Sequence, residues 1–116
     1  MIKTADELIK QAQGQIKCLD LAAAKSLYAE SGDVVIIDVR EAHSADACKL
    51  EKSINISRGL IEMKATKHCP DPETVIFTHC GGGGRASLAA LTLQQMGYRN
   101  VYAITAKYED IKACFG

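Results

Sequence analysis

The feature that most restricts what this chain can fold into is an unbroken passage from an apolar run, through a cysteine and a glycine tract, into a helix. Thr74-Val75-Ile76-Phe77-Thr78 shows no polar–apolar alternation, as expected of a strand covered on both faces, and it runs straight into His79-Cys80-Gly81-Gly82-Gly83-Gly84-Arg85. From Ala86 to Met96, the residues Ala89, Leu93 and Met96, flanked by Leu88 and Leu91, form a wide apolar helix face, which Gly97 is placed to end in a left-handed conformation. A strand that turns directly into a helix is the repeating unit of a parallel sheet.

The rest of the chain extends that pattern. Thr4 with Glu7 three residues on predicts a capping box for a short front helix carrying Leu8, Ile9 and Ala12, stopped at Gly14. Ile16-Lys17-Cys18-Leu19 reads as a short strand, and Asp20 can cap a helix from Leu21 to Ala29 that ends at Ser31-Gly32. Val34-Val35-Ile36-Ile37 is β-branched throughout, as in a central parallel strand, and leads into Asp38-Val39-Arg40-Glu41. Between Ala42 and Lys67 the pattern is irregular, with a short strand at Ile54-Asn55-Ile56 and a short helix from Leu60 to Lys64. Pro70 and Pro72 mark a turn, Val101-Tyr102-Ala103-Ile104 is a last strand, and a final helix is expected from Tyr108 to Cys114. The prediction is an α/β fold with a mostly parallel central sheet and helices on both faces, made of an N-terminal helical extension (1–15) and one domain (16–116).

Length and charge narrow the function. With 116 residues, 47% of them hydrophobic, the chain can build one modest core. Basic and acidic residues number 14 each, without blocks of like sign, which argues against a nucleic-acid or membrane-surface partner. No apolar run approaches the roughly 20 residues of a membrane helix, and the first residues lack the apolar core of a signal peptide, so a cytoplasmic protein is expected. Cys18, Cys48, Cys69, Cys80 and Cys114 are odd in number, scattered and free of any Cys-x-x-Cys pair, which fits a reducing compartment rather than a disulfide framework. All but Cys80 are expected to be small buried hydrophobes, with Cys48, in a polar stretch, the one candidate for a second exposed thiol. His68-Cys69 and His79-Cys80 do not have convincing zinc spacing, and no metal is expected.

The chemistry concentrates at Cys80. A glycine run lets successive N–H groups turn inward, making a concave anion nest at the positive end of the following helix. A helix N-terminus and a nearby cation both favour a thiolate, so Cys80 is expected to be an ionised nucleophile, with Arg85 as its electrostatic partner. Two other readings compete. A plain glycine turn around a buried cysteine would carry the entropic cost of four consecutive glycines for no gain. A nucleotide loop is weaker: Gly81 to Ala86 formally fits G-x-G-x-x-A, but no acidic residue closes the next strand and no Gly-Lys-Ser/Thr is present.

Ile36-Ile37-Asp38-Val39-Arg40-Glu41, Ile54-Asn55-Ile56 and Cys80-x-x-Gly83-x-Arg85 together resemble rhodanese-like domains, from about Ile16 to the end of the chain. Arg58-Gly59-Leu60-Ile61-Glu62, the segment Leu88 to Tyr98 and the front helix look like single-domain rhodaneses with an extra N-terminal helix. The resemblance implies a sulfurtransferase in which Cys80 takes a sulfane sulfur from thiosulfate, mercaptopyruvate or a persulfide. It would then pass the sulfur, held as a persulfide, to cyanide or a thiol, without metal or organic cofactor. The amides of Gly81, Gly82, Gly83 and Gly84 would cradle the terminal sulfur, with Arg85 beside them. The chain departs from the family at Cys48-Lys49-Leu50-Glu51-Lys52-Ser53, where relatives have Gly-His-Ile-Pro-Gly-Ala, and near the end, where Ala106-Lys107 and Ile111 replace Gly-Gly-x-x-x-Trp.

His79-Cys80 followed by an arginine is also similar to the His-Cys-x-x-x-x-x-Arg loops of tyrosine phosphatases and arsenate reductases. Here only four residues separate Cys80 from Arg85, a tighter ring suited to a sulfur atom rather than to a tetrahedral oxyanion. A non-catalytic module on the same scaffold is the third class, and retention of both Cys80 and Arg85 argues against it. Asp38 and Arg40, at the end of a central strand, could line the site or anchor a loop as an ion pair. Arg58 and Glu62, four apart, are expected to brace the loop. His79, next to Cys80 on a strand, should point to the opposite face.

Overall fold

In the computed structural model, which describes residues Met1–Gly116, the helix-end signals act where the sequence puts them. Thr4 Oγ1 accepts the N–H of Glu7 at 3.2 Å while the Glu7 carboxylate accepts the N–H of Thr4 at 3.4 Å, and this capping box opens α1 (Ala5–Gln13). Asp20 Oδ1 accepts the Ala23 N–H at 2.8 Å and starts α2 (Leu21–Ser31) after the short strand β1 (Lys17–Leu19). β2 (Val34–Asp38), α3 (Ala42–Ala47), β3 (Ser53–Asn55), a 3-10 turn (Arg58–Leu60), α4 (Ile61–His68) and β4 (Val75–His79) follow. α5 (Gly84–Met96), β5 (Asn100–Ile104) and α6 (Tyr108–Phe115) complete the chain. Gly97 ends α5 at φ 114°, the left-handed stop expected of it.

The strands form one sheet in the order β1-β5-β4-β2-β3, with every pairing parallel. β4 and β2 lie side by side in the interior, Ile36 opposite Phe77 and Asp38 opposite His79, which accounts for their lack of alternation. Side chains pointing to one face, Ile37, Ile76, Cys80, Val101 and Ala103 among them, pack with Ile61, Ala65, Ala89 and Leu93 of α4 and α5. Those pointing to the other, Ile36, Phe77 and Ile104, pack with Ala24 of α2 and Ile111 of α6. Ile111, at the family's tryptophan position, is fully buried. α1 lies along α5.

Three expectations need correcting. The stretch after Arg40 holds the additional helix α3, which buries only Ala45 and so leaves no apolar stripe in the sequence. Cys18 is exposed, because β1 is a three-residue edge strand with two of its residues facing out. Cys114 is half-buried, so Cys69 alone among the thiols beside Cys80 is a buried core residue.

Candidate functional site

β4 delivers Cys80 to the C-terminal edge of the sheet, where ligands of open α/β folds bind. The chain then has four residues in which to turn from the strand into α5, and the turn is made by Gly83 at φ 97°. A Cβ there would lie 2.9 Å from Thr105 Cα, at the end of the neighbouring strand β5, so position 83 requires glycine both for its backbone angle and for its close approach. This curl aims amides at the sulfur: the Gly83 N–H reaches Cys80 Sγ at 3.1 Å and the Ala86 N–H reaches it at 3.4 Å.

Of the amides in the expected cradle, Gly83 is the one that meets Cys80 Sγ itself, and Ala86, outside the glycine tract, is the second donor to it. Ala86 escapes a sequence reading because its donation depends on α5 starting at Gly84, two residues earlier than the apolar pattern suggests. Gly81 and Gly82 are exposed, and a Cβ on Gly82 would meet nothing within 4 Å. Cys80 itself is 1% exposed, so its sulfur forms the floor of the loop. Arg85, in the first turn of α5, is exposed and takes no part in the chain's three ion pairs; its Nη2 lies 3.6 Å from where a Gly81 Cβ would be. Neither surface cavity of the molecule is lined by a loop residue.

On the opposite face of the sheet a polar cluster backs the loop. Asp38 is fully buried and takes a two-pronged bond from Arg40, at 3.0 Å from Nε and 2.8 Å from Nη2. Arg40 Nη2 also donates to the Cys48 carbonyl at 2.6 Å, and the guanidinium lies 3.9 Å from the centre of the Tyr108 ring. The Asp38 hydrogen bond, partly opposed by burial, raises the Arg40 pKa further. Of the two roles open to Asp38 and Arg40, loop anchor is the one the geometry supports: they are on the far side of β4 from Cys80. Asn55 extends the anchor, its Nδ2 donating to the Asp38 and Arg40 carbonyls at 2.9 Å each.

His79 points into the same cluster, as strand alternation predicts, and stacks on Tyr108 at 6.0 Å between ring centres. Burial pushes its pKa down, the Asp38 charge works against that shift, and Arg40 adds to it. Both ring nitrogens are buried without a hydrogen-bond partner. Tyr108, which the sequence reading passed over, ties the cluster to the loop, because its backbone N–H donates to the Gly81 carbonyl at 3.1 Å. Its hydroxyl donates to the sulfur of Cys48, which is exposed as its polar surroundings suggested. Arg58 Nη2 donates to Thr92 Oγ1 on α5 at 3.1 Å, and its Nη1 lies 3.5 Å from Glu62.

A family profile described as the rhodanese-like domain matches residues 20–114. This chain belongs to the rhodanese-like family. No curated protein matched the sequence. Among solved structures, the polysulfide-sulfur transferase homodimer of Wolinella succinogenes is similar at 27% identity and a TM-score of 0.71, covering 89% of this chain and 77% of that one. The human single-domain sulfurtransferase TSTD1 shares the rhodanese fold at 23% identity and a TM-score of 0.69, over 81% of this chain and 93% of its own. A protein of unknown function from Rhodopseudomonas palustris, described as a possible tyrosine phosphatase, is similar at 27% identity and a TM-score of 0.79, over 96% and 92% of the two chains. The rhodanese-like neighbours thus include sulfurtransferases, and no helix of this chain is long and apolar enough to cross a membrane.

Proposed function

We propose that this rhodanese-like chain is a sulfurtransferase that carries sulfane sulfur as a persulfide on Cys80. The observation that carries the reading is the pair of amides, Gly83 and Ala86, directed at Cys80 Sγ on the floor of a loop whose outer residues, Gly81 and Gly82, bear no side chains. In the first half-reaction the Cys80 thiolate attacks the outer sulfur of a donor such as thiosulfate. The Sγ–S bond forms, the donor's S–S bond breaks, and sulfite leaves with the electron pair. In the second, a thiolate or cyanide attacks the terminal sulfur, and the Sγ–S bond breaks to return the Cys80 thiolate. Each step moves negative charge within the reach of inward amides, and Arg85 adds a fixed cation at the rim. Thiosulfate, mercaptopyruvate and small or protein persulfides are the donor classes. A loop whose exposed residues, Gly81 and Gly82, offer no selecting side chains accords best with a protein-bound persulfide or another bulky donor. Five free thiols accord with work in the reducing cytoplasm.

The likeness to the Rhodopseudomonas palustris protein favours a second reading, phosphoryl transfer at the same cysteine. The short ring between Cys80 and Arg85 weighs against it, because two amides already converge on the sulfur and leave fewer for three phosphate oxygens. One experiment separates the readings. The native protein and Cys80→Ser are incubated with thiosulfate, mercaptopyruvate, cysteine persulfide or p-nitrophenyl phosphate, weighed intact, and then treated with cyanide. A gain of one sulfur by the native chain alone, removed by cyanide, is the expected result. No gain with any sulfur donor, or release of p-nitrophenol that depends on Cys80, would sink the sulfurtransferase reading.

A further inference from the structure

Only part of the glycine tract is explained by the loop itself. Gly83 is required by its backbone angle and by Thr105, whereas Gly84 has no positive φ. What lies over it comes from the far end of the chain: a Cβ on Gly84 would be 2.8 Å from Ile9 Cδ1, so the tip of this α1 side chain rests against the start of α5. Ile9 is half-buried although its neighbour Leu8 is 45% exposed, so α1 turns this residue onto the loop.

A second line of contacts runs from α1 to the same place. Gln13 Nε2 donates to Ser87 Oγ at 3.1 Å, and Ser87 Oγ in turn donates to the Gly83 carbonyl at 2.7 Å. The Ser87 backbone N–H bonds that carbonyl as well, at 3.0 Å, and the Gly83 N–H is one of the two donors to Cys80 Sγ. Ser87 is fully buried, so its hydroxyl has no water to turn to. Gln13, by fixing where the oxygen sits and where its proton points, holds the peptide after Gly83, while the sulfur holds the peptide before it.

We infer that α1 belongs to the catalytic apparatus: Ile9 and Gln13 are positioning residues that hold Gly83 and Gly84 in the curl that aims amides at Cys80. Neither touches a reacting atom; both act through Gly83, Gly84 and Ser87. A glycine tract has little stiffness of its own, so an outside clamp is what keeps the amides preorganised. The inference rests on the sulfurtransferase reading only where sulfur transfer is the readout.

The test uses the full chain in four forms: native, Ile9→Ala with Gln13→Ala, Gln13→Glu, and Lys10→Ala as an exposed control on the same helix. Gln13→Glu keeps the size of the side chain but can only accept, which draws the Ser87 proton away from the Gly83 carbonyl. Two quantities are read: the rate of iodoacetamide alkylation at Cys80 at pH 6.5 relative to pH 9, by peptide mass spectrometry, and kcat and KM for sulfur loading. Folding is followed by circular dichroism. The expected result is a fall of about threefold or more in the alkylation ratio and in kcat, with KM unchanged, for the double variant and for Gln13→Glu. Lys10→Ala should match the native protein. An alkylation ratio in Gln13→Glu equal to the native value, or an equal loss in Lys10→Ala, overturns the inference. If no form takes up sulfur but the alkylation ratio still falls, the sulfurtransferase reading fails and the positioning role stands.

Discussion

Gly83→Ala puts the account of the loop to its most direct test. The substitution forces a side chain into the left-handed region at φ 97°, which costs an L-residue about 1–2 kcal/mol. It also drives a Cβ to 2.9 Å from Thr105 Cα and 3.0 Å from Thr105 O, backbone atoms of a sheet strand's end that cannot rotate away. Overpacking of that kind costs about 1–3 kcal/mol. The sum, about 2–5 kcal/mol, is less than the roughly 5–15 kcal/mol that holds a small domain together, so the variant should fold with a melting temperature lower by roughly 8–20 °C. Relief comes most cheaply from moving the loop, which pulls the Gly83 N–H off the sulfur. A hydrogen bond to a charged group is worth about 1.5–3 kcal/mol, so persulfide loading should slow by roughly 10- to 150-fold. Gly82→Ala is the control, since nothing lies within 4 Å of its Cβ and its φ is not positive; it should leave the melting temperature within about 2 °C of native. A Gly83→Ala protein with native melting temperature and native loading rate would refute the reasoning.

Arg40→Ala leaves Asp38, which is fully buried, without its counter-ion and should cost about 3–5 kcal/mol in urea unfolding; adding Asp38→Asn should recover part of that loss. The loss should be the same with or without sulfur donor, and a loss below about 1 kcal/mol would contradict the anchoring role. Because burial depresses the His79 pKa, the unfolded state takes up the proton first. Stability from this residue is then complete above the unfolded pKa of about 6.5 and declines as pH falls toward the folded value, by at most about 1.4 kcal/mol per pH unit. His79→Phe, which keeps the stack on Tyr108 and removes two unpartnered nitrogens, should flatten that decline between pH 6.5 and 5 without lowering stability at pH 7.5. Chemical denaturation at several pH values checks it, and an unchanged slope would count against His79 as the titrating group.

Much of this molecule could be read from its residues because the deciding interactions are local. The helix caps at Thr4 and Asp20 span four residues each, the stop at Gly97 is a matter of one backbone angle, and strands β2 and β4 advertise their double burial in composition. The Cys80 loop was legible for the same reason: strand, cysteine, glycines, arginine and helix are consecutive. Other features depend on which elements become neighbours. Cys18 reads as a core residue until β1 proves to be a short edge strand in which only Leu19 packs against the core. Asp38 and Arg40 are two residues apart, yet their choice between lining the site and anchoring it depends on the face of the sheet they share with Tyr108, 68 residues further on.

The sequence by itself determined that a cysteine follows a buried strand and opens a glycine tract leading into a helix. Only the tertiary structure decided which amides meet the sulfur, that Gly83 must clear Thr105, and that α1 reaches Gly84 and Ser87 across more than seventy residues of chain. The physical reason is that a glycine tract encodes freedom rather than a shape. The shape is imposed by what packs around it, here the end of β5 on one side, the Tyr108 amide on another, and Ile9 and Gln13 on a third.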